Sequence, residues 1–132
     1  MELVSIRIIT DDVARLVAFY EQVTGTTAVW GNEVFAELAT ASGTLAIADT
    51  RTVPLFGSRA AESGANRSVI IEYVVDDVDA SYEELRGLVE HVVTEPTTMP
   101  WGNRALLFRD PDGNLVNVFT PVTPQARAKF GR

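Results

Sequence analysis

The chain repeats itself, and that repetition limits its folds more than any other feature. Asp11-Asp12-Val13 recurs as Asp76-Asp77-Val78, 65 residues on, and Gly43-Thr44-Leu45 lies on Gly113-Asn114-Leu115 at an offset of 70. Around each Asp-Asp-Val the pattern is the same. VSIRIIT (Val4 to Thr10) alternates as a strand, and DDVARLVAFYEQVTG follows as a helix with Asp11 or Asp12 as N-cap and Gly25 beyond its end. TTAVW, EVFAELATA and TLAIADT then read as three strands separated by Gly-containing turns. After a loop from Arg51 to Arg67 the order restarts with VIIEYVV, the helix DDVDASYEELRGLVE, and the strands HVVTEP, RALLFRD and NLVNVFTP. The turn Asp110-Pro111-Asp112-Gly113 joins the last two.

Two βαβββ modules follow, in an α+β fold. A period this long is not a solenoid repeat; it describes two half-folds that each leave one sheet face uncovered. Module 1 spans about 1–50, a linker 51–67, module 2 about 68–122 and a tail 123–132, all within one domain of 132 residues. The two tryptophans sit in a repeated Trp-Gly-Asn at Trp30 and Trp101, 71 apart. The pattern places both tripeptides between the second and third strands of their modules, where Gly-Asn suits a turn.

A hydrophobic content of 46% supports a true core. No run of about 18 apolar residues exists, and MELVSIRIITDD lacks a basic start and small-residue cleavage site, which predicts a soluble, cytoplasmic protein without a membrane partner. The absence of cysteine removes disulfides, thiolate metal sites and thiol nucleophiles. A net charge of −7 argues against nucleic acid, whose phosphates need a basic footprint. It suits either a cationic ligand or plain solubility.

The chain resembles the vicinal oxygen chelate superfamily, the group of glyoxalases, bleomycin-resistance proteins and extradiol dioxygenases. The resemblance rests on Asp12-Val13 followed by Phe19-Tyr20, on Asp77-Val78-Asp79, on Arg109-Asp110-Pro111-Asp112-Gly113-Asn114-Leu115, and on the paired βαβββ order. It covers about residues 4 to 122 and implies a half-barrel cleft, completed in a homodimer. Enzymes of the group hold a divalent metal with histidines on the first strands and a glutamate on the last. By the resemblance those positions fall on Ser5, Ile70 and Asn117, with Ile47 as the first-module counterpart of Asn117. None is a histidine or carboxylate, and a divalent site needs such donors converging from several strands. No metal and no cofactor are therefore expected. His91 reads as an ordinary strand-end residue, and the Asp pairs read as helix caps.

Alternation separates the strand faces. Val4, Ile6 and Ile8 form one set, Ser5, Arg7 and Ile9 the other; Val69, Ile71 and Tyr73 oppose Ile70, Glu72 and Val74. Arg7 and Glu72 are equivalent in the duplication, and Leu115, Asn117 and Phe119 share the cleft face. An apolar cleft with few polar groups suits an organic ligand, although the same side chains would also pack a closed barrel.

Metal-free members of the group protect their producers by binding bleomycin-, mitomycin- or enediyne-type antibiotics, in several of them with a Trp-Gly segment stacking on the drug. Trp101 matches that segment. Trp30 either supplies a facing wall or plugs its own module, and Trp101 has the same two readings. Arg104 is a candidate hydrogen-bond donor to the ligand, Met99 an adaptable contact, and Leu55 and Phe56 a lid, a dimer contact or a loop anchor. Phe130 is a candidate contact to a partner subunit. The leading expectation is a homodimer that sequesters a planar or polycyclic aromatic antibiotic without catalytic residues. The alternative is a glyoxalase- or dioxygenase-like enzyme acting on a small organic or polyketide-like substrate, with Glu72 as the acid or base of a metal-free version.

Overall fold

The computed structural model describes residues 1–132, which divide into two compact units, 1–66 and 67–132. In the first, the strands are β1 (Ser5–Thr10), β2 (Val29–Asn32), β3 (Phe35–Ala39) and β4 (Thr44–Asp49), with helix α1 (Val13–Thr24) between β1 and β2. In the second they are β5 (Ile70–Val74), β6 (His91–Thr98), β7 (Asn103–Arg109) and β8 (Leu115–Pro121), with α2 (Val78–Leu85) after β5 and α3 (Pro124–Lys129) after β8. Each unit forms one four-stranded mixed sheet, ordered β1-β4-β3-β2 and β5-β8-β7-β6. The parallel pair is first with last, and the other pairs are antiparallel.

Both long helices start in the same way. The Asp12 carboxylate accepts from the Arg15 N–H at 3.1 Å, and the Asp77 carboxylate from the Ala80 N–H at 3.0 Å, each using an amide that the helix itself leaves unpaired. Gly25 ends α1 with φ 70°, a left-handed cap that glycine adopts without strain. α2 is shorter than the pattern DDVDASYEELRGLVE suggests. It stops at Leu85, before Arg86-Gly87, and the following backbone turns back onto the Leu85 carbonyl.

The cores lie between each helix and one sheet face. Leu16, Val17 and Tyr20 of α1 are buried with Ala36, Leu38, Leu45 and Ile47. Val78 and Leu85 of α2 are buried with Leu106, Phe108, Val116 and Val118. Fully burying a side chain such as Leu16 stabilises by about 1.5–3 kcal/mol. Tyr73, on the helix side of β5, is mostly buried, and burial pushes its phenol up to about 12.

The strand register corrects the repeat offset. β3 and β4 are joined by four residues, Thr40 to Gly43, and β7 and β8 by five, Asp110 to Asn114. The extra residue moves the last strand from an offset of 70 to 71, so that Arg7 pairs with Ala46 where Glu72 pairs with Asn117. Ala46, not Ile47, is the counterpart of Asn117; Ile47 is fully buried on the helix face. A one-residue slip along a strand exchanges the faces, which is why counting from the glycine misled.

The two Trp-Gly-Asn copies are not equivalent either. Trp30 lies within β2, opposite Ala36, whereas Trp101 lies in the turn after a longer β6. That turn closes through Met99, whose N–H donates to the Asn103 carbonyl at 2.7 Å and whose carbonyl accepts from Gly102 N–H at 3.0 Å. Gly102 has φ 91°, and a Cβ there would overlap Thr123 Oγ1. Gly31 has no left-handed φ. Gly102 also ties the turn to the tail, since its carbonyl accepts from Val122 and Thr123 N–H.

The linker and the tail each contain a short helix. Residues Thr50–Leu55 form a 3-10 helix, capped by the Asp49 carboxylate on Arg51 N–H at 2.8 Å and anchored by buried Val53. In α3 the N-cap is Thr123, and Pro124 occupies the first turn, where its missing N–H costs nothing. Phe130 packs on Phe119 of its own unit, ring centroids 5.1 Å apart, and stays half-exposed.

Candidate functional site

The sheet faces turned away from the helices carry the polar side chains that the sequence pattern singled out. In residues 67–132 the strand pairing aligns Ile70 with Leu115, Glu72 with Asn117, and Asn117 with Leu107 on one face. Asn117 Nδ2 donates to Glu72 Oε2 at 2.7 Å. Its Oδ1 is buried without a hydrogen-bond partner. An unsatisfied buried carbonyl oxygen costs about 1–3 kcal/mol, so this face holds an acceptor that lacks a donor. Glu72 and Ile70 are exposed, and Leu115 is half-buried. Phe119 shares the face by alternation, yet it is only 5% exposed beside Phe130. It is therefore a floor residue and not an open ligand contact.

In residues 1–66 the corresponding face carries Ser5, Arg7 and Ile9 on β1, with Ala46 and Ala48 on β4 and Phe35 and Glu37 on β3. Arg7 Cζ lies 4.9 Å from the Phe35 ring centroid and 5.2 Å from that of Phe56. The sequence reading included Phe56 but missed Phe35. FAELA alternates, and choosing Ala36 and Leu38 as its buried set would have put Phe35 beside Arg7. Ser5 is exposed at the start of β1. Leu55 is 87% exposed and anchors nothing in its unit; Val53 takes that role.

Two candidates leave these faces. Arg104 pairs with Thr120 in the register and lies on the helix side, where it donates from Nε and Nη2 to both Asp79 oxygens at 2.8 Å. The guanidinium holds the Asp79 carboxyl below its usual range, and Arg104 is raised in turn. A side chain fixed in this fork is committed to α2 instead of to a ligand on the Asn117 face. Trp30 pairs with Ala36 and so belongs to the helix side of its sheet, 43% exposed. Trp101 keeps an open position at its turn, 66% exposed, next to half-buried Met99.

A groove of about 470 Å³ runs along the helix side of the second unit, lined by Asp79, Tyr82, Glu95 and Arg104 among others. Its polar groups already satisfy one another. Tyr82 Oη donates to Glu95 at 2.9 Å, and the adjacent carboxylate pushes the phenol up.

The donor set for a divalent metal does not fit. The first-strand positions are Ser5 and Ile70, the last-strand positions Ala46 and Asn117, and no three His, Cys, Asp or Glu side chains are grouped to hold an ion. His91 opens β6 as a strand-end residue.

Residues 2–118 match the model of the Glyoxalase/Bleomycin resistance protein/Dioxygenase superfamily. The protein YraH of Bacillus subtilis (strain 168) is 26% identical over 125 residues, covering 90% of this chain and 98% of its own length. A glyoxalase/bleomycin resistance protein/dioxygenase from Nocardioides superposes with a TM-score of 0.78 at 24% identity, over 94% of this chain and 85% of that one. A family enzyme from Burkholderia phytofirmans PsJN gives 0.81 at 17% identity, over 92% and 100%. At these identities the structural likeness concerns the fold. No helix is long and apolar enough to cross a membrane.

Proposed function

Because the chain belongs to the glyoxalase/bleomycin resistance protein/dioxygenase superfamily, which holds enzymes and non-enzymes alike, we propose that it captures a planar or polycyclic natural-product antibiotic of the bleomycin, mitomycin or enediyne type and so confers self-resistance. One observation carries the reading. Where the family's enzymes place metal donors, the face of β5 and β8 presents Asn117 Oδ1, a buried acceptor without a donor, between apolar Ile70, Leu107 and Leu115. A flat ligand bearing an N–H or O–H satisfies that oxygen once the Asn117 amide turns outward from its Glu72 contact, while its ring covers the apolar side chains, the usual composition of an organic binding site. Exposed Trp101 supplies a face for stacking, worth about 0.5–1.5 kcal/mol beyond the area it covers. Capture needs no bond to be made or broken, so protection scales with protein concentration and affinity.

A homodimer belongs to the same reading. β1 and β5 each end their sheet, and Val4, Ile6, Val69 and Ile70 are exposed there, an edge suited to another copy.

Tryptophan-fluorescence titration with a panel of bleomycins, mitomycins and anthraquinone enediynes tests capture. Saturable quenching is expected, weakened about tenfold in Asn117→Leu and about threefold or more in Trp101→Ala, with Trp30→Ala unchanged in affinity. Saturation unaffected by Asn117→Leu overturns the site. The exposed Glu72 carboxylate favours a second reading, acid–base turnover of a small substrate. Recovery of a chemically altered ligand, lost in Glu72→Gln, selects turnover over capture.

A further inference from the structure

Arg7 stands apart from the chain's other stacked or paired arginines. Arg51, Arg86, Arg104 and Arg132 each form an ion pair with a carboxylate. Arg7 forms none, in a chain with 18 acidic and 11 basic residues. Two aromatic rings flank it, Phe35 from β3 and Phe56 from the end of the 3-10 helix. Ring faces attract the charge but accept no conventional N–H bonds, so the donor fork of the guanidinium is left to an outside acceptor. The residue opposite Arg7 on β4 is Ala46, which adds no polar group of its own. Glu37 occupies the same sheet face, one strand beyond Ala46, and makes no ion pair with it. Phe56 is 64% exposed, a large apolar surface left uncovered beside a cation.

We infer that the first unit carries a recognition site for the carboxylate of a flat organic acid, with Arg7 as the anion-binding group and Phe35 and Phe56 as the walls that hold the guanidinium and cover the acid's ring. Arginine suits this role because its planar fork matches a carboxylate with two parallel hydrogen bonds, and stacking holds the fork before the ligand arrives. The inference concerns residues 1–66 and does not depend on capture at Asn117.

The test uses 2-naphthoate as the probe, with 2-naphthamide as its neutral isostere and acetate as an anion without the ring. Calorimetry on the full chain is expected to give saturable naphthoate binding, with both controls at least about tenfold weaker. Arg7→Met weakens naphthoate at least about tenfold, Arg7→Lys several-fold because an ammonium lacks the fork, and Phe56→Leu about threefold. Arg15→Gln, the same charge change on α1, leaves it unchanged. Thermal melts of every variant separate loss of the site from loss of the fold, and amide shifts in an NMR titration locate the probe. Perturbations centred on Arg7, Phe35 and Phe56 are expected. Absence of saturable naphthoate binding, equal binding to Arg7→Met, equal binding of naphthamide, or perturbations confined to residues 67–132 would each overturn the inference without bearing on the antibiotic titration.

Discussion

Residues 1–66 and 67–132 share a strand order, a helix position and a cap, yet they present opposite chemistry at the same register position. Arg7 stacks between two rings on one sheet, and Glu72 accepts a hydrogen bond from an amide on the other. The helix-facing sides have diverged less, because each must still bury an apolar helix stripe at crystal-like density. A sheet face with no helix over it has no such obligation. Duplication thus supplies two similar frames, and the uncovered faces are where the copies become different.

The comparison is broken most strongly at its turns. Gly102→Ala is expected to cost about 3 kcal/mol or more, since the backbone is left-handed and the new Cβ meets Thr123 Oγ1, itself fixed by accepting from Ala126 N–H. Gly31→Ala is expected to cost less than about 1 kcal/mol, because φ is ordinary and the nearest atom is the Phe35 ring at 3.1 Å. Urea unfolding of both variants measures the difference, and equal losses would mean that the two Trp-Gly-Asn copies do the same job after all.

The connections between the last two strands come next. Asp110 is 3% exposed and accepts from Asp112 N–H, Asn114 N–H and Asn114 Nδ2 at 2.8–2.9 Å. Asp110→Ala leaves those donors unpaired and should cost about 2–3 kcal/mol. Thr40, at the matching turn, accepts from Ser42 and Gly43 N–H at 3.3 Å in an exposed loop, and Thr40→Ala should cost about 0.5 kcal/mol. A similar loss at both turns in urea would deny the second unit its tighter connection.

Titration sharpens the same contrast. Tyr73 stands where the first unit has Ile8, and its phenol is pushed from 10.0 to about 12 by burial. A raised folded value means that the fold favours the neutral phenol. That stability is intact below pH 10 and is lost as the pH rises from about 10 toward 12, on the order of 3 kcal/mol at most. Tyr73→Phe should remove this alkaline loss in pH-dependent melts, and an unchanged profile would place the phenol in solvent. The smallest effect belongs to Asp79 and Arg104, whose counterparts in the first unit carry no such pair. The lowered Asp79 carboxyl contributes above its ordinary value of 3.8 and loses that contribution as the pH falls through its lower folded value. Asp79→Asn should lower melts near neutral pH only slightly, because solvent screens an exposed ion pair.

Much of this was legible before any coordinates. A capping Asp in each Asp-Asp pair, Gly25 past the end of α1, all eight strands and the two-module order follow from local rules: side-chain oxygens cap helix amides, glycine tolerates positive φ, and alternation marks a half-covered strand. The unsuitability of Ser5 and Ile70 as metal donors was legible as well, since it depends on residue type. Less was legible where a local pattern admits two registers. Arg104 reads as a hydrogen-bond donor to a ligand until Asp79, 25 positions earlier, is brought beside it by α2. Trp30 and Trp101 look like one motif until strand length separates them.

Sequence alone therefore determined the frame, because caps, turns and alternation are decided by neighbours within a few residues. Tertiary structure decided which side chains share an open face. Placing Asn117 on Glu72, Phe35 and Phe56 on Arg7, and Phe130 on Phe119 depends on strand register and on contacts between distant segments, and one added turn residue is enough to exchange the faces.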